Sequence, residues 1–353
     1  MEKGYLVLQD GQVFEGIRFG DMSDAVGELV FTTGMCGYIE TLTDPSYAGQ
    51  IIMQTFPLIG NYGIIPEDYE GAPCARAYIV RQWCPTPSNF RTETDLDHFL
   101  KERGIPGLCG VDTRYLTRLI RERGVINAKL CSRVPEDLSE LSSYTVSGVV
   151  DAVSCPVPAE FPAMGEERFH VALWDFGYKQ NILRQLQQRN CRVTLFPAGS
   201  TAEEILRAAP DGIMLSNGPG DPAENTEIIA QLRLLLGKVP VFGICLGHQL
   251  TALAAGGGTY KMKFGHRGVN QPVTDLASGR TYMTSQNHGY AVSDKVPGGR
   301  LSFINANDGT CEGLDYPDLR AFTVQFHPEA CSGPKDTGFL FDRFMTLMEG
   351  GLS

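Results

Sequence analysis

The second half of the chain alternates short apolar runs with stretches of helical periodicity. The helical stretches place apolar residues three or four positions apart, as at Ile182, Leu183 and Leu186, and one of them opens with a capping-box sequence at 201–204. This alternation is typical of repeated βαβ units, which predict a parallel, doubly wound sheet with its ligand chemistry at the carboxyl ends of the strands. The strand-like runs lie at 171–174, 192–196, 212–215 and 239–242.

The first part of the chain shows a different pattern, with short strand-like runs separated by Gly and Pro. Residues 5–8 and 12–14 flank Asp10-Gly11, a pair that is typical of a tight hairpin turn. A helix is predicted over 113–123, because its apolar residues fall on one face and Asp112 is placed to cap it. Further strands are predicted at 28–33 and 50–55.

Between these two regions the periodicity weakens, and Ser, Pro and Glu accumulate. A chain of 353 residues is too long for one ordinary hydrophobic core and fits two domains. We therefore predict an α/β protein in three parts. A β-rich α+β domain covers 1–150, a linker covers 151–168, and a doubly wound, flavodoxin-like domain covers 169–353.

Composition narrows the class of protein. The net charge of −11 and the lack of a basic stripe argue against a nucleic-acid partner. No apolar run approaches the roughly 20 residues that span a bilayer, and the N-terminus lacks the pattern of a signal peptide. The 10 cysteines are scattered without a C-x-x-C pair, which favours a reducing compartment and no structural metal. We expect a cytoplasmic protein without a metal site.

The strongest candidate for chemistry is the segment Gly243-Ile244-Cys245-Leu246-Gly247. It joins an apolar strand to a helical stretch, and its glycines allow the sharp turn of a nucleophile elbow. The turn would place the sulfur at a helix N-terminus, which favours the thiolate. On this segment alone a buried core cysteine remains the alternative, because free cysteines are often core residues.

A cysteine nucleophile needs a base, and His327 is the best candidate among the histidines. It follows an apolar run, and Pro328 favours an extended backbone at His327, so that His327 and Glu329 would project to the same side. A carboxylate beside an imidazole can hold its tautomer and stabilise the imidazolium. His248 lies on the helix that leaves the elbow, so we interpret it as structural. His266 lies close to Gly265 and Gly268, so we interpret it as a loop-shaping residue.

The run that ends at Leu215 is followed by Ser216-Asn217-Gly218-Pro219-Gly220-Asp221-Pro222. Two glycines around a proline make a stiff turn with accessible backbone N–H groups, which suits an oxyanion hole. An ordinary loop and a phosphate cradle are the alternatives. The cradle is disfavoured because the Lys-Ser/Thr ending of a P-loop is missing.

Together these segments resemble the class I (triad) glutamine amidotransferases. The resemblance rests on Gly243–Gln249, on Asn217–Gly220 and on His327-Pro328-Glu329. It implies that Cys245 attacks the side-chain amide of glutamine, that His327 moves the proton and that Glu329 orients the histidine. It also implies that the N–H groups of Leu246 and Gly218 hold the oxyanion and that water hydrolyses the thioester.

Almost the whole chain resembles one branch of that family, the small, glutamine-hydrolysing subunits of carbamoyl-phosphate synthase. The segments that carry this closer resemblance are 42–50, 104–107, 112–114, 175–181, 262–268 and 285–292. By the same resemblance, glutamine also contacts Ser46, Gly220, Gln249, Asn287, Gly289 and Tyr290. The resemblance places Lys179 near the site, although solvent exposure is the default for a lysine. Tyr290 and Cys331 stand where the family more often has Phe and Ser.

The resemblance further implies a large subunit that uses ATP, Mg and bicarbonate, receives ammonia through a channel and makes carbamoyl phosphate. No cofactor is expected on this chain. Two alternatives stay open at this point. One is an amidotransferase subunit for another acceptor, such as in anthranilate or guanylate synthesis, and the other is a non-catalytic regulatory subunit. The sequence does not distinguish arginine from pyrimidine synthesis as the pathway served.

Overall fold

Two compact units, Met1–Ser147 and Gly148–Ser353, make up the chain in its computed structural model. The structure describes residues 2–293, 295–330 and 332–350. The boundary between the units lies close to residue 150, where the sequence pattern predicts the end of the first domain. Among the described residues, no helix has the length and apolar character needed to cross a bilayer.

The first unit is built on a closed barrel in the order β1-β2-β8-β6-β4-β3-β9, with β5 paired to β7 beside it. Its strands are β1 Lys3–Leu8, β2 Val13–Gly20, β3 Ala25–Thr32, β4 Gln50–Gln54, β5 Leu58–Ile59, β6 Ala77–Ile79, β7 Gln82–Trp83, β8 Pro106–Cys109 and β9 Ile126–Cys131. Its helices are α1 Tyr38–Leu42, α2 Leu96–Glu102, α3 Thr113–Arg123 and α4 Ser139–Ser143.

The local sequence signals of this unit give the expected elements. Strands β1 and β2 pair antiparallel across the Asp10-Gly11 turn, with Leu6 opposite Phe14. Helix α3 has the predicted bounds, and the Asp112 side chain caps it by accepting a hydrogen bond from the Tyr115 N–H. The predicted β-rich α+β architecture is confirmed.

Part of the barrel is parallel: β3 pairs with β4, β4 pairs with β6, and β6 pairs with β8, each in parallel orientation. Their carboxyl ends therefore meet at the same edge of the barrel. The chain segments that leave those ends begin at Thr33, Thr55, Val80 and Gly110.

The second unit contains one long sheet with helices packed against it. Its strands are β10 Ala159–Phe161, β11 Phe169–Trp174, β12 Cys191–Phe196, β13 Gly212–Leu215, β14 Val241–Ile244, β15 Thr259–Asp275, β16 Thr281–Val292, β17 Arg300–Asn305, β18 Cys311–Tyr316 and β19 Ala321–Val324. Its helices are α5 Val149–Val153, α6 Gln180–Gln188, α7 Ala202–Arg207, α8 Thr226–Leu235, α9 Leu246–Ala254 and α10 Phe339–Met348.

The centre of this sheet is parallel in the order β12-β11-β13-β14-β19, which is the doubly wound, flavodoxin-like arrangement predicted from the sequence. Antiparallel strands β18, β16, β15 and β17 extend it on one side. The predicted linker 151–168 contains strand β10, which pairs antiparallel with β12 at the other edge. Part of that segment is therefore a sheet strand, whose three residues are too short for a sequence pattern to reveal.

The parallel sheet is covered on both faces. Along β11, Val171 and Leu173 belong to one hydrophobic cluster, whereas Ala172 and Trp174 belong to the other, as the period of two in a strand requires. Because both faces are buried, the loops at the carboxyl ends of the strands are where polar side chains can gather.

Candidate active site

Cys245 occupies the tight turn between strand β14 and helix α9. Its backbone has φ 53° and ψ −102°, a left-handed conformation that costs a non-glycine residue about 1–3 kcal/mol. The Cys245 N–H donates to the Val324 carbonyl oxygen at 2.8 Å, which ties the turn to strand β19. A Cβ on Gly247 would lie 2.6 Å from the carbonyl oxygen of Leu215, so glycine is required there. This is the geometry of a nucleophile elbow.

The Cys245 thiol is enclosed, with the residue 2% exposed. Its Sγ lies 3.8 Å from the carbonyl oxygen of Asn287 on strand β16. The sulfur also lies directly before the first turn of α9, where backbone N–H groups and the helix dipole favour negative charge. The sulfur is therefore buried at the N-terminal end of a helix, which is the position of the nucleophile in an elbow of this kind.

His327 and Glu329 form a buried pair just beyond the end of β19. Nδ1 of His327 lies 2.7 Å from Oε1 of Glu329, and both side chains are 1% exposed. The sequence pattern predicts an extended backbone here, but the chain makes a tight turn in which the Ala330 N–H donates to the His327 carbonyl oxygen at 3.3 Å. The proline after His327 starts this turn, which brings the two side chains together.

The surroundings of His327 favour its charged form. Burial and the positive charge of Lys179 lower the pKa of His327, but Glu329 and the Cys245 thiol outweigh them and raise it to about 9. In return, the His327 imidazolium and Lys179 overcome the effect of burial and lower the pKa of the Glu329 carboxyl. Nε2 of His327 is buried and has no hydrogen-bond partner among the described residues. At neutral pH the proton of the pair therefore resides on the imidazole.

Lys179 lies beside this pair. Its Nζ is 3.8 Å from Oε1 of Glu329, and its side chain is only 12% exposed, so the general expectation of a solvent-exposed lysine is wrong here. The Asn181 side-chain amide donates to the carbonyl oxygen of Glu329. Asn181 lies in the first turn of α6, and Lys179 ends the loop before it. That loop is held by Asp175, whose Oδ1 accepts from the Gly177 N–H at 2.8 Å. The loop after β11 and the start of α6 therefore support Glu329.

The predicted oxyanion loop is packed closely against its surroundings. A Cβ on Gly218 would lie 2.3 Å from the carbonyl oxygen of Phe176 and 2.7 Å from Cδ2 of Leu246, the residue after the nucleophile. The neighbouring Asn217 side chain accepts from the Lys179 N–H at 3.1 Å and donates to the Gly177 carbonyl oxygen at 2.8 Å. The loop is therefore fixed beside the start of α9, where oxyanion donors are needed.

Several residues assigned to glutamine by resemblance surround the same turn. The Gln249 side chain donates to the Tyr290 carbonyl oxygen at 2.9 Å and to Oε1 of Gln325 at 3.0 Å, which joins helix α9 to strand β16. Gly289 and Asn287 lie on β16 as well, and Gly220 ends the oxyanion loop with φ 86°.

Ser46 belongs to the first unit, in the short turn Pro45–Tyr47, where its N–H donates to Oδ1 of Asp44 at 2.9 Å. Cys331 lies outside the described residues.

His248 and His266 occupy different surroundings from His327. His248 is fully buried on α9, where Nδ1 lies 2.7 Å from the Thr323 hydroxyl and burial lowers its pKa to about 3. His266 is not in a loop but on strand β15, directly opposite His288 on β16. The interpretation of His248 as structural agrees with its burial, whereas His266 is part of a polar network that sequence reasoning missed.

Glu312 on strand β18 is the centre of that network. It is fully buried, and burial raises its pKa despite hydrogen bonds from Gln286 at 3.0 Å and Asn305 at 3.1 Å and a 3.3 Å contact with Nδ1 of His266. Gln286 in turn contacts Nε2 of His288 at 2.9 Å. The network therefore supports the part of β16 that runs past Cys245.

The cluster of His266, His288 and Glu312 brings its ligand atoms within 4.8 Å of one another. Each ring nitrogen of the two histidines is already engaged with a protein group. His266 contacts Glu312 and Asp308, and His288 contacts Gln286 and the Tyr290 carbonyl oxygen. The ring nitrogens that could bind a metal ion therefore already contact protein groups, and the three residues form a polar network.

Comparison with known families covers both units. Residues 172–347 match the family model described as glutamine amidotransferase class-I, and residues 6–130 match the carbamoyl-phosphate synthase small chain, CPSase domain.

Full-length relatives bear the name carbamoyl phosphate synthase small chain. The protein of Bacillus cereus (strain ATCC 10987 / NRS 248) is 51% identical over 98% of this chain and 96% of its own. That of Listeria monocytogenes serotype 4b (strain F2365) is 49% identical over 99% of this chain and 98% of its own. The solved structure of a Thermoplasma acidophilum protein described as part of a GMP synthase has a TM-score of 0.47 at 19% identity, over 53% of this chain and 96% of that chain.

Proposed function

The chain belongs to the carbamoyl phosphate synthase small-chain family, and on that premise we propose that Cys245, His327 and Glu329 carry out its glutamine hydrolysis. The chain is the glutamine-hydrolysing subunit of such a synthase, and it releases ammonia and glutamate. The observation that carries the residue assignment is the buried His327–Glu329 pair beside an elbow cysteine.

The first half of the reaction forms a thioester. With its proton on His327, the Cys245 sulfur attacks the side-chain carbonyl carbon of glutamine, and the carbonyl oxygen takes the negative charge. The N–H groups of Leu246 and Gly218 donate to that oxygen. The imidazolium of His327 then gives its proton to the departing nitrogen, the carbon–nitrogen bond breaks, and ammonia leaves. A pKa of about 9 keeps His327 charged for this step at neutral pH.

The second half restores the enzyme. His327, now neutral, takes a proton from water, and the resulting hydroxide attacks the thioester carbon. The same two N–H groups hold the second oxyanion, and its collapse breaks the carbon–sulfur bond and releases glutamate. Glu329 stabilises the imidazolium at the start and at the end of the cycle, because its carboxylate accepts the Nδ1–H hydrogen bond throughout.

Binding of glutamine is assigned to a polar shell around the turn. Gln249, Asn287, Gly289, Tyr290 and Gly220 are the proposed contacts there, and Ser46 of the first unit is a further contact that the family resemblance implies. The backbone and amide groups of this set suit a zwitterionic substrate, which needs hydrogen-bond donors and acceptors in place of apolar lining. The bonds from Gln249 to Tyr290 and Gln325 pre-organise the side of the shell formed by α9 and β16.

Membership of this family implies a partnership with a large chain. We propose that the large chain binds through residues 1–150, uses ATP, Mg and bicarbonate, and receives the ammonia through a channel. A subunit that serves another acceptor is not favoured, because the small-chain family model covers 6–130 in addition to the amidotransferase region. The complete triad likewise argues against a non-catalytic subunit.

The experiment that tests this function measures glutamate and ammonia release by the purified full-length chain. We expect slow hydrolysis by the free chain and faster hydrolysis when its large chain is titrated in, with the greatest rate when ATP and bicarbonate are present. The partner must then bind the competent conformation of the site better than the resting one. An isolated chain already at full rate and indifferent to the large chain would contradict the proposal.

A further inference from the structure

An arginine-lined groove lies at the edge of the barrel where parallel strands end. Its volume is about 730 Å³, within the range of ligand and peptide clefts. Thr33 lines it just after β3, and Thr55 lines it just after β4. Arg81 follows β6 after one residue, and helix α3 forms the remaining wall. Polar groups from four separate segments of the chain therefore face one depression.

The groove concentrates positive charge. Arg114, Arg118 and Arg121 are spaced four and three residues apart, so they share one face of α3. Arg81 joins them, and its Nη1 donates to the carbonyl oxygens of Gly110 at 3.2 Å and Val111 at 3.3 Å, which fixes its guanidinium at the wall. The chain as a whole carries a net charge of −11, so this cationic groove is a local exception.

Two of the four arginines that line the groove carry charges that no described residue neutralises. Asp112 is the one acidic residue among the described residues that line it, and its carboxylate is occupied in capping α3. The side chains of Arg114 and Arg118 are exposed and make no ion pair or hydrogen bond with any described residue. By contrast, the exposed Arg207 pairs with Glu203 at 2.7 Å. Two like charges one helical turn apart repel each other, and a bound anion would relieve that repulsion.

Exposed apolar side chains on two connected loops, one of which begins at the groove, indicate a protein partner and not a small anion. Met35 is 74% exposed and follows the groove residue Thr33 by two positions, and Phe90 is 98% exposed. Tyr62 joins the loops that carry Met35 and Phe90: its hydroxyl accepts from the Gly37 N–H at 2.9 Å, and its carbonyl oxygen accepts from the Thr92 hydroxyl at 2.6 Å. Arginine beside exposed Met and Phe is the composition of a protein interface.

We propose that this groove binds a carboxylate-rich segment of the large chain of the synthase. The inference rests on the proposed function, since it requires that partner. Guanidinium groups pair with carboxylates through two parallel hydrogen bonds, and the arginines on α3 offer such forks in a row. The acidic segment would fill the groove, and the apolar side chains would pack against the surface around it.

The test compares binding of the large chain to full-length variants of this chain by calorimetry, with glutamate release measured in the same samples. The double reversal Arg114→Glu/Arg118→Glu should weaken binding about tenfold or more, because like charges then face each other across the interface. The charge-retaining Arg114→Lys/Arg118→Lys variant should bind closer to wild type. Wild-type affinity should also fall as salt rises from about 0.05 M to about 0.3 M, and this dependence should be weaker in the reversal variant.

The matched control is Arg207→Glu/Arg280→Glu, which makes the same change of net charge at exposed arginines of the second unit. We expect wild-type affinity from the control, and the same slow glutamine hydrolysis by all free chains, because none of these arginines is assigned to the reaction. Equal affinity of the reversal variant and the control would overturn the proposal.

A wild-type chain that fails to bind the large chain at all would instead contradict the proposed function. That result would be seen before any variant is compared, so the failure of the partnership and the failure of the groove are distinguishable.

Discussion

Replacing Glu329 by glutamine should move the alkaline limit of glutamine hydrolysis to lower pH. The amide keeps the size of the side chain and an oxygen for the hydrogen bond with Nδ1 of His327, but it removes the charge. Glu329 is the main group that raises the pKa of His327 to about 9, against burial and Lys179. Without the carboxylate we expect that pKa to fall to its ordinary value near 6.5 or lower, because burial and Lys179 still lower it.

The expected loss of activity follows from the fraction of His327 side chains that carry a proton at a given pH. At pH 8 this fraction should fall from about 90% to about 3% or less, which is a loss of about 30-fold or more in the species that protonates the leaving ammonia. At pH 6 the loss should be much smaller, because a far larger share of the imidazole remains protonated there. The variant should therefore be far more impaired at pH 8 than at pH 6.

The assay is the pH profile of kcat for glutamate release between about pH 5.5 and pH 10, for wild type and the Glu329→Gln variant. A matched control is Asp308→Asn, which removes a carboxylate 2.9 Å from Nε2 of a different histidine, His266, and should leave the alkaline limb in place. An equal loss at pH 6 and pH 8 in the Glu329→Gln variant would refute the electrostatic role and leave only an orienting one.

Three further predictions concern the same site. Replacing Cys245 by Ser or Ala should abolish glutamate release while ammonia-dependent synthesis by the complex survives; release at the parental rate from the Ala variant would refute the nucleophile. His327→Asn should lose roughly 10²- to 10⁴-fold in turnover, whereas His248→Asn should mainly cost stability. Burial lowers the pKa of His248 to about 3, so the neutral side chain suits the folded state. As pH falls below about 6.5, the free energy of unfolding should decrease by about 1.4 kcal/mol per pH unit, because the unfolded chain then takes up a proton that the folded chain does not. The His248→Asn variant lacks this group, so its stability in denaturant titrations should depend less on acid pH. Gly218→Ala should lower kcat strongly, since its Cβ would lie 2.3 Å from a backbone carbonyl oxygen, while Gly199→Ala, with nothing within 4 Å, should be neutral.

Local signals in the sequence predicted much of the architecture. The hairpin at Asp10-Gly11 and helix α3 with its Asp112 cap formed as expected, because turn and capping preferences act over a few residues. The order of the parallel strands also followed, since the βαβ pattern restricts the topology. The same pattern placed the elbow, and with it Cys245, at the carboxyl edge of the sheet.

Features that depend on residues far apart in the sequence could not be predicted from local sequence signals. Glu312 has no local motif, and its burial results from strands that are far apart in the sequence pairing around it. The burial of Lys179 likewise depends on Glu329, some 150 residues later in the chain. The turn at His327 was missed because the residue before a proline is usually extended, and here the following turn decides where Glu329 points.

The neighbouring positions of β14 and β19 have a consequence for how the enzyme loses activity. Cys245 directly follows β14, and His327 comes three residues after β19, and the two strands are hydrogen-bonded partners at the centre of the sheet. The separation of sulfur and imidazole is thus set by the inter-strand spacing, a distance that persists as long as the sheet itself. On heating, we would expect substrate capture by the surrounding loops to fail first, and the reactive pair to be among the last features of the fold to come apart.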